Sequence, residues 1–242
     1  MPFLLVTDLD NTFVGDRRAL TTLNQHLIKC RSAGTRLVYA TGRSLLLYQQ
    51  LQTEVDLLEP DVLITAVGTE IYRHGQADFT WMAKLAIGWN RAAIVAITQT
   101  LPDLIPQPQS EQNPFKVSFF LTPAAAATVL PALAARLQGL ATQLIYSSDR
   151  DLDILPQSAN KGLAMTFVRQ QLGFTPHQTI ACGDSGNDIA LFASGDARGI
   201  IVGNAQPELR TWHAAHPNRD RYCAQAAYAA GILEGLQYFG LI

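Results

Sequence analysis

The sequence predicts an α/β fold, a doubly wound parallel sheet (Rossmann-like) into which a smaller α+β unit is inserted. Three observations carry that reading. Over residues 1–66 the short apolar runs "PFLLV", "RLVYA" and "DVLITA" alternate with helically spaced stretches. Strand–helix–strand alternation with short loops builds a parallel sheet. The alternation resumes after residue 158 through "NKGLAMTFVRQQLG", "TIACGD" and "GIIVG". Between the two halves, strands lie close together without crossover helices between some of them, as in an antiparallel or mixed sheet with helices on one face. The larger unit is therefore expected over 1–81 and 159–242, and the insertion over 82–158.

Taken in order, 3–9 is a short apolar strand. Leu20, Leu23, Leu27 and Ile28 then fall at helical spacing, and Gly34 follows as a stop. Residues 36–40 form a strand, 45–53 a helix and 61–66 a third strand, with a small hairpin around His74-Gly75. In the insertion, 82–101 reads as one helix closed by the proline-rich break "PDLIPQPQSEQNP". Residues 115–121 alternate like a half-exposed strand. An alanine-rich helix over 123–140 carries Pro131, where a kink or break is expected. Two short strands, 144–148 and 152–155, end the insertion. The last part reads as a helix with Leu163, Phe167, Val168 and Leu172 on one stripe, a strand at 179–184, a short helix "NDIALFAS", a strand at 199–203, and the helices "QPELRTWHAAH" and "AQAAYAAGILEGLQYFG".

Composition narrows the function. The chain has 242 residues, 48% hydrophobic and 16% charged, enough for one large domain or two smaller ones. A formal net charge of −2 gives no basic field for nucleic acid. No apolar run approaches the roughly 20 residues of a membrane span, and the N-terminus lacks a charged leader and cleavage pattern, so neither membrane nor export is expected. Cys30, Cys182 and Cys223 are far apart without a CxxC pair, which fits reduced thiols in the cytoplasm. A monomer is expected.

The chemistry gathers at strand ends. In an open parallel sheet, ligands bind beyond the carboxyl ends of the strands. Asp8 and Asp10 in "VTDLDNTF" follow the first strand, Thr41-Gly42-Arg43 the second, Gly68-Thr69-Glu70 the third, and "GDSGND" (183–188) a strand of the second half. Lys161 opens the helix that feeds that last strand. Each residue type fits phosphoryl transfer. Asp8 is the candidate nucleophile, able to form an aspartyl-phosphate, and Asp10 the candidate acid and base. Four aspartates (8, 10, 184, 188) near a phosphate need a hard divalent cation, Mg²⁺, and Lys161 adds a second positive charge. The Thr41 hydroxyl and neighbouring N–H groups suit the equatorial phosphate oxygens. Arg43 fits either a rim ion pair or a substrate contact, and Glu70 either a metal-bound water or support of its own turn.

Asp8-x-Asp10-x-Thr12, "ATGR" around Thr41, "NKG" around Lys161 and "GDSGND" match, in order, the four motifs of the haloacid-dehalogenase-like phosphatases. With "EPDVLITAVGTEIY", "EQNPFKVSF", "ILPQSANKG", "CGDSGNDIALF" and "GIIVGNAQPEL", nearly the whole chain resembles the sucrose-phosphate phosphatase family. The resemblance implies a C2-type cap over a catalytic core and Mg²⁺-dependent hydrolysis of sucrose 6-phosphate, the last step of sucrose synthesis. It makes Asp8 the nucleophile, Asp10 the acid/base, and Thr41, Gly42, Lys161 and Asn187 the phosphate ligands. Asp8, the Asp10 carbonyl and Asp184 would hold Mg²⁺, with Asp188 supporting the metal site or Lys161. Gln112, Asn113 and Lys116, with Ser148, Asp149 and Asp151, would face the sugar. Phe115 stands where the family often has Trp, which keeps the ring and loses an N–H donor. The alternatives are a phosphatase of mannosyl-3-phosphoglycerate, glucosylglycerol phosphate or trehalose 6-phosphate, and a non-catalytic sugar-binding partner of a sucrose-phosphate synthase.

Overall fold

The structure is a computed structural model in which residues 1–193 and 197–242 are described. Along the chain, β1 (Leu4–Thr7), α1 (Arg17–Ser32), β2 (Arg36–Ala40), α2 (Leu45–Glu54) and β3 (Val62–Thr65) alternate as expected, and β4 (Glu70–Arg73) with β5 (Gln76–Ala77) makes the hairpin. Next come α3 (Phe79–Leu85), α4 (Arg91–Thr98), β6 (Ile105–Pro106), β7 (Val117–Phe120), α5 (Pro123–Arg136), β8 (Thr142–Ser147) and β9 (Asp151–Pro156). The last part holds α6 (Lys161–Leu172), β10 (Thr179–Gly183), α7 (Ile189–Ala193), β11 (Arg198–Ile201), α8 (Pro207–Ala215), β12 (Arg221–Cys223) and α9 (Tyr228–Tyr238).

Among the described residues the strands form two sheets. The larger has the order β12-β11-β10-β1-β2-β3-β4-β5. It is parallel from β12 to β3 and antiparallel at β4 and β5. Successive side chains of a strand leave on opposite faces, so a central parallel strand needs cover on both. Leu4 and Val6 of β1 join one apolar cluster with α3 (Trp81, Leu85), α6 (Met165, Val168) and α8 (Leu209). Phe3 and Leu5 join the other, with α1 (Leu23, Leu27), α2 (Leu51) and α9 (Ile232, Leu236).

The smaller sheet, β6-β7-β9-β8, is antiparallel throughout. One of its faces is apolar and packs on helices of the insertion: Val117, Phe119, Leu152 and Ile154 lie on Ile94 of α4 and Val129 and Leu133 of α5, while the other face mixes Leu155, Ile145 and Phe120 with polar residues. The alternating residues Ser118, Asp151 and Asp153 point the other way, toward the carboxyl ends of the parallel strands. That half-covered sheet supplies one wall of the site.

Several expected elements differ. The stretch 82–101 is two helices, because Gly88 turns the chain at φ +72° and Asn90 starts α4 anew, its side chain accepting from the Ala93 N–H at 3.0 Å. The alanine-rich helix runs through Pro131 without a break and ends at Arg136, held by the buried Val129 and Leu133 on either side of the proline. Helix α9 starts at Tyr228 rather than at 224. Strands β6 and β12 were not foreseen; each is two or three residues long and exists by pairing with a distant strand. The expected boundary between 81 and 82 falls inside α3, whose Trp81 and Leu85 pack on the larger sheet. The expected helix "NDIALFAS" ends at Ser194, outside the described residues. No helix among the described residues is long and apolar enough to cross a membrane.

Candidate active site

The site begins where β1 stops. The Asp8 N–H still donates to the Cys182 carbonyl of β10 at 3.0 Å. The next residues then turn sharply: the N–H groups of Phe13 and Val14 both donate to the Leu9 carbonyl, at 3.0 and 2.8 Å. This turn brings Thr12 back to the rim, and its hydroxyl donates to Asp184 Oδ1 at 2.9 Å.

Lys161 is the hub. Asn160 caps α6 by accepting from the Leu163 N–H at 2.8 Å, which sets Lys161 in the first turn. Its ammonium is completely buried and donates to Asp8 Oδ1 and to Asp188 Oδ1, both at 2.7 Å. Burial alone would lower its pKa, but Asp188 and Asp8 outweigh that and hold it above the ordinary lysine value. The helix is braced from behind by Gly68, at φ +93°, where a Cβ would lie 2.4 Å from the Asn160 carbonyl. The Val67 and Ala66 N–H groups donate to the carbonyls of Thr41 and Arg43, tying this loop to the next one.

Asp8, Asp184 and Asp188 each offer an oxygen, and these oxygens lie within 4.8 Å of one another. The set is anionic beyond what Lys161 balances. Burial first, and then the neighbouring aspartates, push Asp8 well above the usual carboxylate range despite Lys161. Burial and Asp188 push Asp184 up to about 7 against the Thr12 hydrogen bond. Hard carboxylate oxygens crowded in this way fit a divalent metal ion. Asp188 has both oxygens engaged, one by Lys161 and the other by the N–H groups of Asp184 and Ser185 at 2.9 and 3.0 Å. Asp8 and Asp184 each keep one oxygen free of hydrogen bonds among the described residues, so they are the better-placed donors. The Asp10 carboxylate stands outside this set. It is held two-fold by Arg43, from Nε and Nη2 at 2.7 Å each, so Arg43 forms the rim ion pair. Glu70 accepts from the Thr65 hydroxyl at 2.7 Å and supports its own turn.

Thr41 is buried, and its hydroxyl oxygen accepts from the Arg43 N–H at 3.1 Å, which leaves the hydroxyl proton available. Asn187 lies across from Gly42, its Nδ2 3.5 Å from where a Cβ on Gly42 would be. A cavity of about 510 Å³ opens over these groups, within the size range of small-molecule sites. Asp8, Asp10, Gly42, Arg43, Asp184 and Asn187 line one side of it, and Lys116, Ser148, Asp151 and Asp153 the other.

Of the residues expected to face the sugar, Lys116, Ser148 and Asp151 line the cavity and three do not. Gln112 is spent on backbone: its amide donates to Ser118 O at 2.9 Å and accepts from Ser118 N–H at 3.0 Å. Asn113 donates to the Thr69 hydroxyl at 2.9 Å and so ties the insertion to the larger sheet. Asp149 is exposed in the hairpin turn between Ser148 and Arg150 and does not line the cavity. Sequence reasoning missed Asp153, Gln107 and Glu111, all on the cavity wall. Asp153 pairs with the buried Lys116 at 3.5 Å and accepts from the Ser118 hydroxyl at 2.5 Å. The period-two pattern of "DLDIL" carried that signal, since it puts Asp153 on the same face as Asp151.

A family model described as sucrose-6F-phosphate phosphohydrolase matches residues 1–240. The chain belongs to that family. Sucrose-phosphatase 2 of Nicotiana tabacum is 38% identical over 98% of this chain, and the match takes up 59% of the tobacco protein, so the chain spans about three fifths of such relatives. Mannosylfructose-phosphate phosphatase of Agrobacterium fabrum is 35% identical over 98% of this chain and 97% of its own length. The crystal structure of the sucrose-phosphatase of Synechocystis, described as a complex with sucrose and phosphate, superposes with a TM-score of 0.95 at 45% identity over 99% of each chain. As a sucrose-6F-phosphate phosphohydrolase family member, the chain carries both walls of the cavity within the matched region.

Proposed function

We propose that this chain is a Mg²⁺-dependent phosphatase that hydrolyses sucrose 6-phosphate to sucrose and phosphate. The observation that carries the reading is the two-sided cavity. Its floor is a carboxylate cluster beside a buried lysine, and its roof is a polar sheet face able to pair with many hydroxyls. The larger sheet with its helices, α3 included, acts as the catalytic core, and the smaller sheet with α4 and α5 as a cap that selects the sugar.

Asp8 attacks phosphorus, the bond to the sugar oxygen breaks, and Asp10 gives its proton to the leaving alkoxide. Asp10 then takes a proton from the water that cleaves the aspartyl-phosphate, which regenerates Asp8. A proton on Asp10 costs the two-fold pair with Arg43, so the guanidinium loosens in the same step. The free proton of Thr41, the N–H groups of the Gly42 turn, Lys161 and Asn187 hold the phosphoryl oxygens. Asp8, Asp184 and the Asp10 carbonyl would hold Mg²⁺, which when bound neutralises the phosphoryl charge and fixes the substrate. On the cap, Lys116, Asp151, Asp153 and Ser148 pair with the sugar hydroxyls, and a sugar lacking the right ones leaves them unpaired.

The test is kcat/KM over a panel of sucrose 6-phosphate, trehalose 6-phosphate, mannosyl-3-phosphoglycerate, glucosylglycerol phosphate and mannosylfructose phosphate. Sucrose 6-phosphate is expected to lead by at least ~10²-fold. The Agrobacterium relative, matched almost end to end, favours mannosylfructose phosphate as the second reading, and a lead for that substrate would replace the first. Absence of turnover on every substrate with Mg²⁺ present would leave a non-catalytic sugar-binding protein.

A further inference from the structure

Glu208, in the first turn of α8, lies in none of the four motifs, yet one of its oxygens is shared by two segments that come together beside it. Oε1 accepts from the Ser148 N–H at 3.1 Å and from the Gly186 N–H at 3.2 Å. Ser148 is the tip of the β8–β9 hairpin on the cap. Gly186 belongs to the loop 184–188, which holds Asp184, Asn187 and Asp188 at the floor of the cavity. At Gly186 the two units are in contact: a Cβ there would lie 3.1 Å from Glu208 Cγ and 3.2 Å from the Tyr146 carbonyl of β8.

The hairpin tip is shaped for this contact. Ser148 and Asp149 adopt φ +53° and +51°, and the Arg150 N–H donates back to Ser147 O at 3.2 Å. This is a two-residue turn with both central residues left-handed, a place where Asn-Gly is preferred and other residues bear strain. The turn aims the Ser148 N–H at Glu208 while leaving Ser148 on the cavity wall. Glu208 is in turn set by the start of its helix, because the Gln206 N–H donates to the Asp184 carbonyl at 2.7 Å. The carboxylate, the catalytic loop and the cap tip thus form one connected unit.

We propose that Glu208 is a positioning residue, a latch that fastens the cap hairpin to the loop 184–188 and thereby couples the place of the cap to the arrangement of Asp184 and Asn187. The proposal rests on the phosphatase reading for its kinetic consequence only; the latch itself is independent of the substrate. A lost acceptor leaves two backbone N–H groups to water and frees the tip, so the sugar loses its roof more than the phosphate loses its floor.

The experiment compares Glu208→Ala and Glu208→Gln with the unaltered chain by hydrogen exchange and by kinetics on sucrose 6-phosphate with Mg²⁺. In Glu208→Ala, exchange of the segments 142–151 and 183–190 is expected to rise together at least fivefold while β1 and β2 stay protected, and KM to rise about tenfold with kcat falling less than threefold. Glu208→Gln keeps an acceptor oxygen and is expected to restore most of both. Unchanged exchange in both segments, or a rise in only one of them, would overturn the latch. So would an equal loss in Gln and Ala. If the unaltered chain turns over no sugar phosphate, the phosphatase reading fails while the exchange comparison still decides the latch.

Discussion

At the scale of single residues, the site is governed by unequal partnering of like charges. Of three aspartates around the same point, Asp188 is saturated by one ammonium and two N–H groups, whereas Asp8 and Asp184 each keep an open oxygen. Asp8 is therefore expensive to keep ionised, and in the proposed reaction its open oxygen is the one that attacks. Among the described residues Lys161 is its side-chain partner, through a fully buried ammonium at 2.7 Å. Asp8→Asn keeps the shape and still accepts from Lys161, so phosphate binding by calorimetry is expected to persist while kcat falls at least ~10³-fold. Turnover within tenfold of the unaltered chain would remove Asp8 as nucleophile. Asp8, Asp10, Thr41, Lys161 and "GDSGND" were legible because the chemistry proposed for them restricts residue type and spacing. Asp153 and Glu208 were not legible: the one is marked only by strand alternation, and the other acts through backbone N–H groups that any sequence supplies.

At the scale of elements, the loops after the parallel strands support one another. The turn after β3 donates to the carbonyls of the Thr41–Arg43 loop and at Gly68 presses on the start of α6. Gly68→Ala would put a methyl group into the Asn160 carbonyl and force alanine to φ +93°. A loss of about 2 kcal/mol or more in urea unfolding is expected, with a fall in kcat because Lys161 moves with its helix. Stability within 0.5 kcal/mol of the parent would mean that the two segments move apart at small cost. The short, unbroken apolar runs of β1, β2, β3 and β10 were readable because central parallel strands are buried on both faces. Strands β6 and β12 were unreadable, since a strand of two or three residues has no period and depends on its neighbour. The break between α3 and α4 lay in plain view in Gly88 and Asn90, but helical spacing on both sides obscured it.

At the scale of the whole molecule, the buried carboxylates link metal, protons and stability. Asp184 titrates near 7 in the folded chain against an ordinary value of 3.8, and Asp8 is raised as well. The folded state thus holds protons that the unfolded state has already lost, so this contribution is fully present below about pH 4 and fades as pH rises through 7. A divalent cation competes with those protons and is expected to add most stability where they have left. The increase in Tm with Mg²⁺ over EDTA should be small at pH 5 and several degrees at pH 8. An increase that is the same at both pH values would separate the cation from these aspartates. The two-sheet plan was legible from the interruption and resumption of strand–helix alternation, whereas the contacts between the insertion and the larger sheet, such as Asn113 with Thr69, were not, because they join positions tens of residues apart. The return crossing is the more constrained seam. Strand β9 ends at Pro156 and α6 starts at Lys161, and Gln143 of β8 gathers the carbonyls of Pro156, Gln157 and Ala159 just ahead of it. Anyone exchanging the roof of this molecule for that of a relative therefore meets one splice around Gly88, which keeps its left-handed φ of +72°, and a second held by three hydrogen bonds from a single side chain. A graft that altered 157–160 would disturb the start of α6, and Lys161 with it, whatever the new roof admits.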